Sequence, residues 1–242
     1  MKRILRLETE NTREIYSSMD KVWPDNSIWY NHVHRTIINF VEKSLSQTLT
    51  NDSIYLNAGS GGSTYNLPGT CYHVDIAENL IKDKKYHYVA SIEQLPFKQH
   101  LFDSIICVGS VLNYCSALES LSEMSRVLKP GGFLILEFER SHSAELWFSN
   151  NYGKKATLQK YEYLNNIHAL WLYSEKYIRQ LLKQYGFRVI TKKRFHSLSA
   201  VANLILKDEN KAGKLFFCDK IISPLSYFMA HNIILLCEKN DL

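Results

Sequence analysis

Ser53-Ile54-Tyr55-Leu56-Asn57-Ala58-Gly59-Ser60-Gly61-Gly62 is the stretch on which the reading of this chain turns. A short apolar run stops at a glycine loop, as a buried parallel strand stops. Glycines at such a turn let the backbone approach a ligand with no Cβ in the way, and they accept backbone angles that other residues resist. In an open parallel sheet, ligands bind beyond the carboxyl ends of the strands, where the strand order reverses. The loop is therefore a candidate ligand cradle, with a plain turn as the competing reading.

Downstream, Pro68-Gly69 marks a turn and Cys71-Tyr72-His73-Val74-Asp75 reads as a second strand that ends in an acid, followed by a short helix over 77–82. His87-Tyr88-Val89-Ala90 is a third strand, and Ser104-Ile105-Ile106-Cys107-Val108 a fourth. Ala117, Leu118, Leu121, Met124, Val127 and Leu128 repeat at helical spacing, and Lys129-Pro130-Gly131-Gly132 supplies the breakers that end that helix before a fifth strand over 133–138. Residues 139–173 show no clear period and hold many aromatics and asparagines, so an irregular insertion is expected. Ser174 is a plausible N-cap, Tyr177, Ile178, Leu181, Leu182 and Tyr185 share one helix face, and Gly186 is the stop. Strands six and seven follow, beginning at Phe187 and spanning 232–237.

Upstream, Val33, Ile37, Phe40, Val41, Leu45 and Leu49 predict an amphipathic helix over 28–49, entered through the aromatics Tyr16, Trp23, Trp29 and Tyr30. Strands alternating with helices predict an α/β fold, a doubly wound, mostly parallel seven-stranded sheet. It is expected as one domain in four parts: an N-terminal helical cap (1–50), a ligand-binding core (51–138), a substrate-side insertion (139–173) and the rest of the sheet (174–242).

Composition narrows the class. With 242 residues and 45% hydrophobic content the chain can bury a sizeable core. The formal charge of +5 is mildly basic, but lysines and arginines are scattered, which argues against a dedicated nucleic-acid surface. The five cysteines (Cys71, Cys107, Cys115, Cys218, Cys237) are odd in number and widely spaced with no Cys-x-x-Cys pair, so neither a disulfide framework nor a zinc site is expected, and the chemistry fits a reducing cytosol. The charged start Met1-Lys2-Arg3 leads into no signal-like apolar run. The apolar stretch over 221–237 is interrupted by Ser223, Pro224, Ser226, His231 and Asn232 and reads as buried segments, not a membrane helix.

Asp75 sharpens the meaning of the glycine loop, because a carboxylate at the end of the second strand can accept hydrogen bonds from a ribose. A Gly-x-Gly-x-x-Gly dinucleotide fingerprint starting at Gly59 would need glycine or alanine where Thr64 stands, so the nicotinamide reading loses ground. The blocks 56–62, His73-Val74-Asp75-Ile76, Glu93-Gln94-Leu95-Pro96-Phe97, 101–106 and 122–132 follow one another in order and spacing. In these blocks the chain resembles the class I S-adenosylmethionine-dependent methyltransferases, particularly the small-molecule group with a Leu-Pro-Phe loop and a Leu-Lys-Pro-Gly-Gly turn. The resemblance implies a Rossmann-like methyltransferase fold and S-adenosylmethionine as cofactor, with S-adenosylhomocysteine as product. It implies that Asn57 begins the cofactor motif, that Gly59, Ser60 and Gly61 face the methionine part, that Asp75 holds the ribose and that Ile76 lies against the adenine. Ser91 and Ile92 match the loop that faces the adenine amino group, and Val108, Gly109 and Ser110 match the border of the methyl-donor pocket. For Ile76, Ile92 and Val108 ordinary core packing is an equal reading. Three departures stand out: Asn57 and Ser91 replace acids, and residues 63–71 are too few for the customary helix after the loop.

Methyl transfer is an in-line displacement, so alignment and exclusion of water are the main tasks, with a general base needed only when the acceptor carries a proton. Candidate bases are Glu139 and His142 after the fifth strand and His168 in the insertion; between the two histidines the sequence does not decide. Tyr30, Asn113, Tyr114 and Trp171 are candidate substrate contacts. The segment 109–114 lacks the Pro-Pro pair with which nucleobase amino-methyltransferases grip a flipped base, and the aromatics of the insertion fit a small-molecule pocket or the core of a cap equally. The expected function is methyl transfer to an O or N atom of a small molecule. The alternatives are a non-catalytic cofactor- or partner-binding protein, and an RNA or protein methyltransferase using Lys207, Lys211, Lys214 and Lys220.

Overall fold

A computed structural model of the chain describes residues 11–24, 27–163, 166–216 and 225–240. The charged start, Cys218, Lys220 and residues 221–224 of the apolar stretch lie outside the described residues. A helix over 11–17 (α1) is followed by α2 (Ile28–Leu45), β1 (Ile54–Ala58), β2 (Thr70–Asp75), α3 (Glu78–Ile81), β3 (His87–Val89) and β4 (Phe102–Cys107). Next come a 3-10 turn (Val111–Tyr114), α4 (Ala117–Val127), β5 (Leu128–Glu139), β6 (Ala156–Tyr163), β7 (Asn166–Tyr173), α5 (Glu175–Gln184) and β8 (Phe187–Phe195). The described chain closes with α6 (Leu198–Leu206), α7 (Glu209–Gly213), α8 (Ser226–Met229) and β9 (Asn232–Lys239).

Seven strands form one sheet in the order β3-β2-β1-β4-β5-β9-β8. All pairings from β3 to β5 are parallel, and β9 runs antiparallel to both β5 and β8. The doubly wound, mostly parallel α/β sheet expected from the sequence is present, and the order reverses beside β1, which places the glycine loop at the switch point.

Alternation along the central strands explains why they read as continuous apolar runs. Leu56, Ala58, Ile105, Cys107, Leu134, Leu136, Ile233 and Leu235 pack with Leu121, Met124 and Val127 of α4 and Ile178 and Leu182 of α5. Their neighbours Tyr55, Ile106, Ile135 and Ile234 face the other way, against Trp29, Val33, Ile37, Val41 and Leu45 of α2. Both faces are covered, so the middle positions of these strands are buried on either side. The same alternation carries Glu137 and Glu139 onto the α2 face of β5, beyond the point where the apolar packing ends.

The conserved-looking order of blocks has a physical basis in cross-links between them. Arg126 pairs with Glu123 (2.7 Å) and donates to the carbonyls of Leu95 and Phe97, while Glu123 accepts from the Leu95 N–H. The Leu-Pro-Phe loop is thus clamped by α4. Asp103 accepts from the Ile54 N–H at 2.8 Å and pairs with Lys129, which ties β1 and β4 to the turn after α4.

Three expectations need correction. Residues 156–173 are not irregular: β6 and β7 form an antiparallel hairpin in full register from Ala156↔Tyr173 to Tyr163↔Asn166, with His168, Leu170 and Leu172 buried along β7. The Lys129-Pro130-Gly131-Gly132 turn lies inside β5, as an irregularity between the Phe102↔Leu128 and Ser104↔Phe133 pairs, so the strand starts earlier than 133. The first long helix ends at Leu45 instead of 49. Its entry is fixed by Ser27, whose hydroxyl accepts from the Tyr30 N–H, and by Asn210 of α7, whose Oδ1 accepts from the Ile28 N–H at 3.0 Å. Among the described residues no helix is long and apolar enough to cross a membrane.

Candidate active site

Beyond the carboxyl ends of β1, β2 and β4 lies a cleft whose floor is the glycine loop. The N–H groups of Gly59 and Ser60 both donate to the Val74 carbonyl at 2.9 Å, and the Gly61 N–H donates to Asp75 Oδ2 at 2.7 Å. Asp75 Oδ1 accepts from the Ala77 N–H at 3.0 Å. Each carboxylate oxygen keeps a second lone pair for a ligand hydroxyl. Gly59 has φ +70°, and a Cβ there would overlap the Val111 side chain, so the loop admits only glycine at this position.

Asn57 fastens the loop from beneath. Its Nδ2 donates to Ser60 Oγ (3.2 Å) and to the Ser63 carbonyl (3.0 Å), and Ser60 Oγ lies 2.7 Å from His73 Nδ1. Burial, then Lys84 and His87, push His73 down to about 4, so a neutral imidazole shares this hydrogen bond with Ser60. No helix follows the loop before β2, as the short spacing predicts; an amide doing the fastening replaces both the usual acid and the helix.

The cleft is lined by Asn57, Gly59, Ser60, Gly61, Asp75, Ile76, Ser91, Ile92, Val108 and Gly109, ten of the residues singled out for the cofactor in the sequence; Ser110 faces the adjoining cavity instead. Ser91 also turns toward the Glu93 N–H, from which its hydroxyl accepts at 3.2 Å. Thr12 and Tyr16 of α1 and Val22, Trp23 and His34 close the cleft from above, with Trp23 and His34 stacked at 4.8 Å. Cys115 lines the cleft, and burial pushes its thiol well above the ordinary value, which disfavours the thiolate. S-adenosylmethionine fits this donor set: acceptors at Asp75 for ribose hydroxyls, apolar walls at Ile76 and Ile92 for a flat base, and a glycine cradle for the amino-acid part.

A second cavity adjoins the first. Tyr16, Val22, Trp23, Gly109 and Tyr114 line both, and Trp29, Tyr30, Ser110, Glu139, Glu145, Tyr161, His168, Asn203, Glu209, His231 and Asn232 are among the residues that line the second alone. Of the candidate bases, the structure brings Glu139 and His168 here and leaves His142 outside, packed against Tyr152 and Tyr227. Tyr30 and Tyr114 line this cavity. Asn113 and Trp171 do not: Asn113 Nδ2 donates to the Glu139 and Trp171 carbonyls, and its Oδ1 accepts from the Glu139 N–H, which pins the 3-10 turn to β5 and β7.

Around Glu139 is a group the sequence did not reveal. Glu139 accepts from Ser110 Oγ (2.8 Å) and lies 3.3 Å from His231 Nε2; His231 Nδ1 lies 3.2 Å from Glu145 and 3.2 Å from Ser143 Oγ. Burial works against a charge on His231, but Glu145 and Glu139 outweigh it and hold its pKa well above the ordinary value. Burial would likewise raise Glu145, and the imidazolium outweighs that and lowers it. Beneath them, Glu137 accepts from the Gly109 and Ser110 N–H groups (2.9 and 2.7 Å) and from Asn232 Nδ2 (2.8 Å), and burial pushes it up to about 7. It holds Ser110 in a left-handed conformation, φ +59°. A rule of two along β5 would have flagged Glu137 beside Glu139. His231 and Asn232 reach the site through pairing of β9 with β5, Glu139↔Asn232, which no local signal announces. His168 Nδ1 meets Tyr114 Oη at 3.0 Å, and Tyr16 Oη donates to Tyr114 Oη at 3.0 Å. Burial, opposed by the Tyr114 hydrogen bond, lifts Tyr16 to about 12.

Comparison with known proteins agrees with this fold. Residues 56–136 match the family described as methyltransferase domain. An uncharacterized protein of Methanocaldococcus jannaschii, MJ0638, is 31% identical over 140 residues, 51% of this chain and 60% of that protein. The ubiquinone/menaquinone biosynthesis C-methyltransferase UbiE of Wigglesworthia glossinidia brevipalpis is 43% identical over 56 residues, which cover 23% of this chain and 22% of that enzyme. Less than two thirds of either relative is therefore spanned. In fold, the chain is similar to the Burkholderia thailandensis 1,6-didemethyltoxoflavin-N1-methyltransferase with bound S-adenosylhomocysteine: TM-score 0.57 at 14% identity, over 99% of this chain and 88% of that one. Residues 56–136 thus match a methyltransferase domain, and the sheet around them has the fold of the class I S-adenosylmethionine-dependent methyltransferases.

Proposed function

We propose that this protein transfers the methyl group of S-adenosylmethionine to an O or N atom of a small molecule by in-line displacement. The observation that carries the reading is the junction of the two cavities at Tyr16, Trp23, Gly109 and Tyr114, where a donor in one and an acceptor in the other meet. The cofactor, when bound, supplies a methyl group on a sulfonium. Asp75 accepts from its ribose hydroxyls, Ile76, Ser91 and Ile92 flank its adenine, Asn57, Gly59, Ser60 and Gly61 hold the methionine part, and Val108 and Gly109 border the methyl. Trp23, His34 and α1 exclude water. On the acceptor side Tyr30, Tyr114 and Ser110 orient the substrate, and Glu139, steadied by His231, takes a proton where the acceptor carries one, with His168 as the second candidate. The free thiols of Cys107 and Cys237, both buried, accord with work in a reducing cytosol. Calorimetry with S-adenosylmethionine and S-adenosylhomocysteine tests the reading: both bind, and absence of heat at millimolar ligand overturns it.

A further inference from the structure

We infer that the acceptor is an amine, held as a cation by the carboxylates of the second cavity and through its N–H groups by Asn232. The inference rests on the methyl-transfer reading above and narrows it. The charged residues lining that cavity are Glu139, Glu145, Glu209 and His231. His231 lies between Glu139 and Glu145 and balances one of them, so negative charge remains in excess, and among the described residues no lysine or arginine lines the cavity to receive an anion.

A second observation is independent of charge. Asn232 is buried, gives its Nδ2 to Glu137, and keeps Oδ1 enclosed without a hydrogen-bond partner among the described residues. A buried acceptor in this state is costly, and a ligand N–H removes the cost. The walls are aromatic, with Trp23, Trp29 and Tyr30 among them, and aromatic faces attract a cation. A carboxylate or phosphate would meet carboxylates here, and an alcohol offers one donor and no charge.

The chemistry balances within the site. An ammonium N–H gives its proton to the Glu139 carboxylate, which frees the nitrogen lone pair. That pair forms the new N–CH3 bond while the S–CH3 bond breaks with its electrons onto sulfur, leaving a neutral thioether and a methylated ammonium. Glu139 later releases its proton to water. Ser110 Oγ and His231 steady Glu139 in both states.

The test uses the full chain. Binding of S-adenosylhomocysteine alone decides the methyl-transfer reading. Benzylamine, benzyl alcohol and benzoate, matched in shape and different in charge, are then titrated to millimolar onto the S-adenosylhomocysteine-saturated protein and followed by saturation-transfer NMR. Benzylamine is expected to bind about tenfold or more tightly than the alcohol, with no binding of benzoate. Glu139→Gln removes the preference while S-adenosylhomocysteine affinity persists. Glu209→Gln, at an exposed position of the rim, lowers benzylamine affinity about threefold or more and keeps the test alive should Glu139→Gln fail to fold. Equal or tighter binding of the alcohol or benzoate, or no benzylamine binding by a protein that binds S-adenosylhomocysteine, overturns the inference.

Discussion

Asn57 stands where the resemblance leads one to expect an acid, and the hydrogen bonds show why an amide works. Nδ2 faces the Ser63 carbonyl, an acceptor with no proton to share, so a carboxylate in its place would put two acceptors 3.0 Å apart. Asn57→Asp is expected to destabilise the fold by about 1–3 kcal/mol and to weaken S-adenosylhomocysteine binding, checked by urea melts and calorimetry. Asp75→Ala removes the acceptor for the ribose and the partner of the Gly61 N–H; cofactor affinity is expected to fall by about 1–3 kcal/mol, and unchanged affinity would refute the ribose placement. The lining of the first cleft was legible in the sequence because its residues fall in short blocks that each end a strand. The acceptor side was half legible. Glu139 stands out just after the fifth strand and His168 as a histidine in the insertion, whereas His231, Asn232 and Glu145 join them only through the pairing of β9 and the packing of the loop after β5.

Among the elements, the central strands β1, β4, β5 and β9 and the helices α2, α4 and α5 could be read from apolar patterning because they bury one face or both, whereas the edge strands β3 and β8 are largely exposed. The β6–β7 hairpin escaped because partly exposed aromatic and aliphatic residues, such as Trp171 and the exposed Ile167, alternate with the buried His168, Leu170 and Leu172, so both faces look apolar and the period vanishes. Helices α6 and α7 were not expected at all; they complete the cover over α2. The hairpin's role is separable from the cofactor's. Leu172, fully buried, is expected to cost about 2–5 kcal/mol of stability when changed to alanine, read as a lower urea midpoint. The folded variant should keep its S-adenosylhomocysteine affinity, since Leu172 lines neither cavity. Ser174, whose hydroxyl accepts from the Tyr177 N–H at the start of α5, should cost about 1 kcal/mol as alanine.

For the whole molecule, the buried histidines weigh against stability in acid. Burial, then neighbouring cations, lowers His32 and His73 to about 4, and burial with His231 and His32 holds His196 well below its ordinary value. Each binds a proton more readily unfolded than folded, so below pH 6.5 the unfolded state carries more protons and stability falls as pH falls. Glu137, raised to about 7 by burial, has the opposite sign: the native state holds its proton between about pH 4.5 and 7, and that contribution is lost as pH rises through 7. His231, held up by two carboxylates, also contributes below its folded pKa and is lost at alkaline pH. Burial also lowers His34 and His142 and raises Asp75, Glu93 and Glu209, so histidines and carboxyls pull the slope of stability in opposite directions between pH 4.5 and 6.5, and a single histidine has to be isolated. His196 isolates the effect. It is fully buried, stacked 4.8 Å from Phe216 and edge-on to Trp29 at 3.9 Å, with neither ring nitrogen hydrogen-bonded among the described residues, so a phenyl ring meets the same surroundings without a proton to gain. Urea unfolding at intervals across this window should give His196→Phe a slope smaller than the wild type by up to about 1.4 kcal/mol per pH unit, the value of one proton. Equal slopes would mean that His196 is already protonated in the folded protein, against the carbon-lined cage and the nearby His231 imidazolium that the structure places around it.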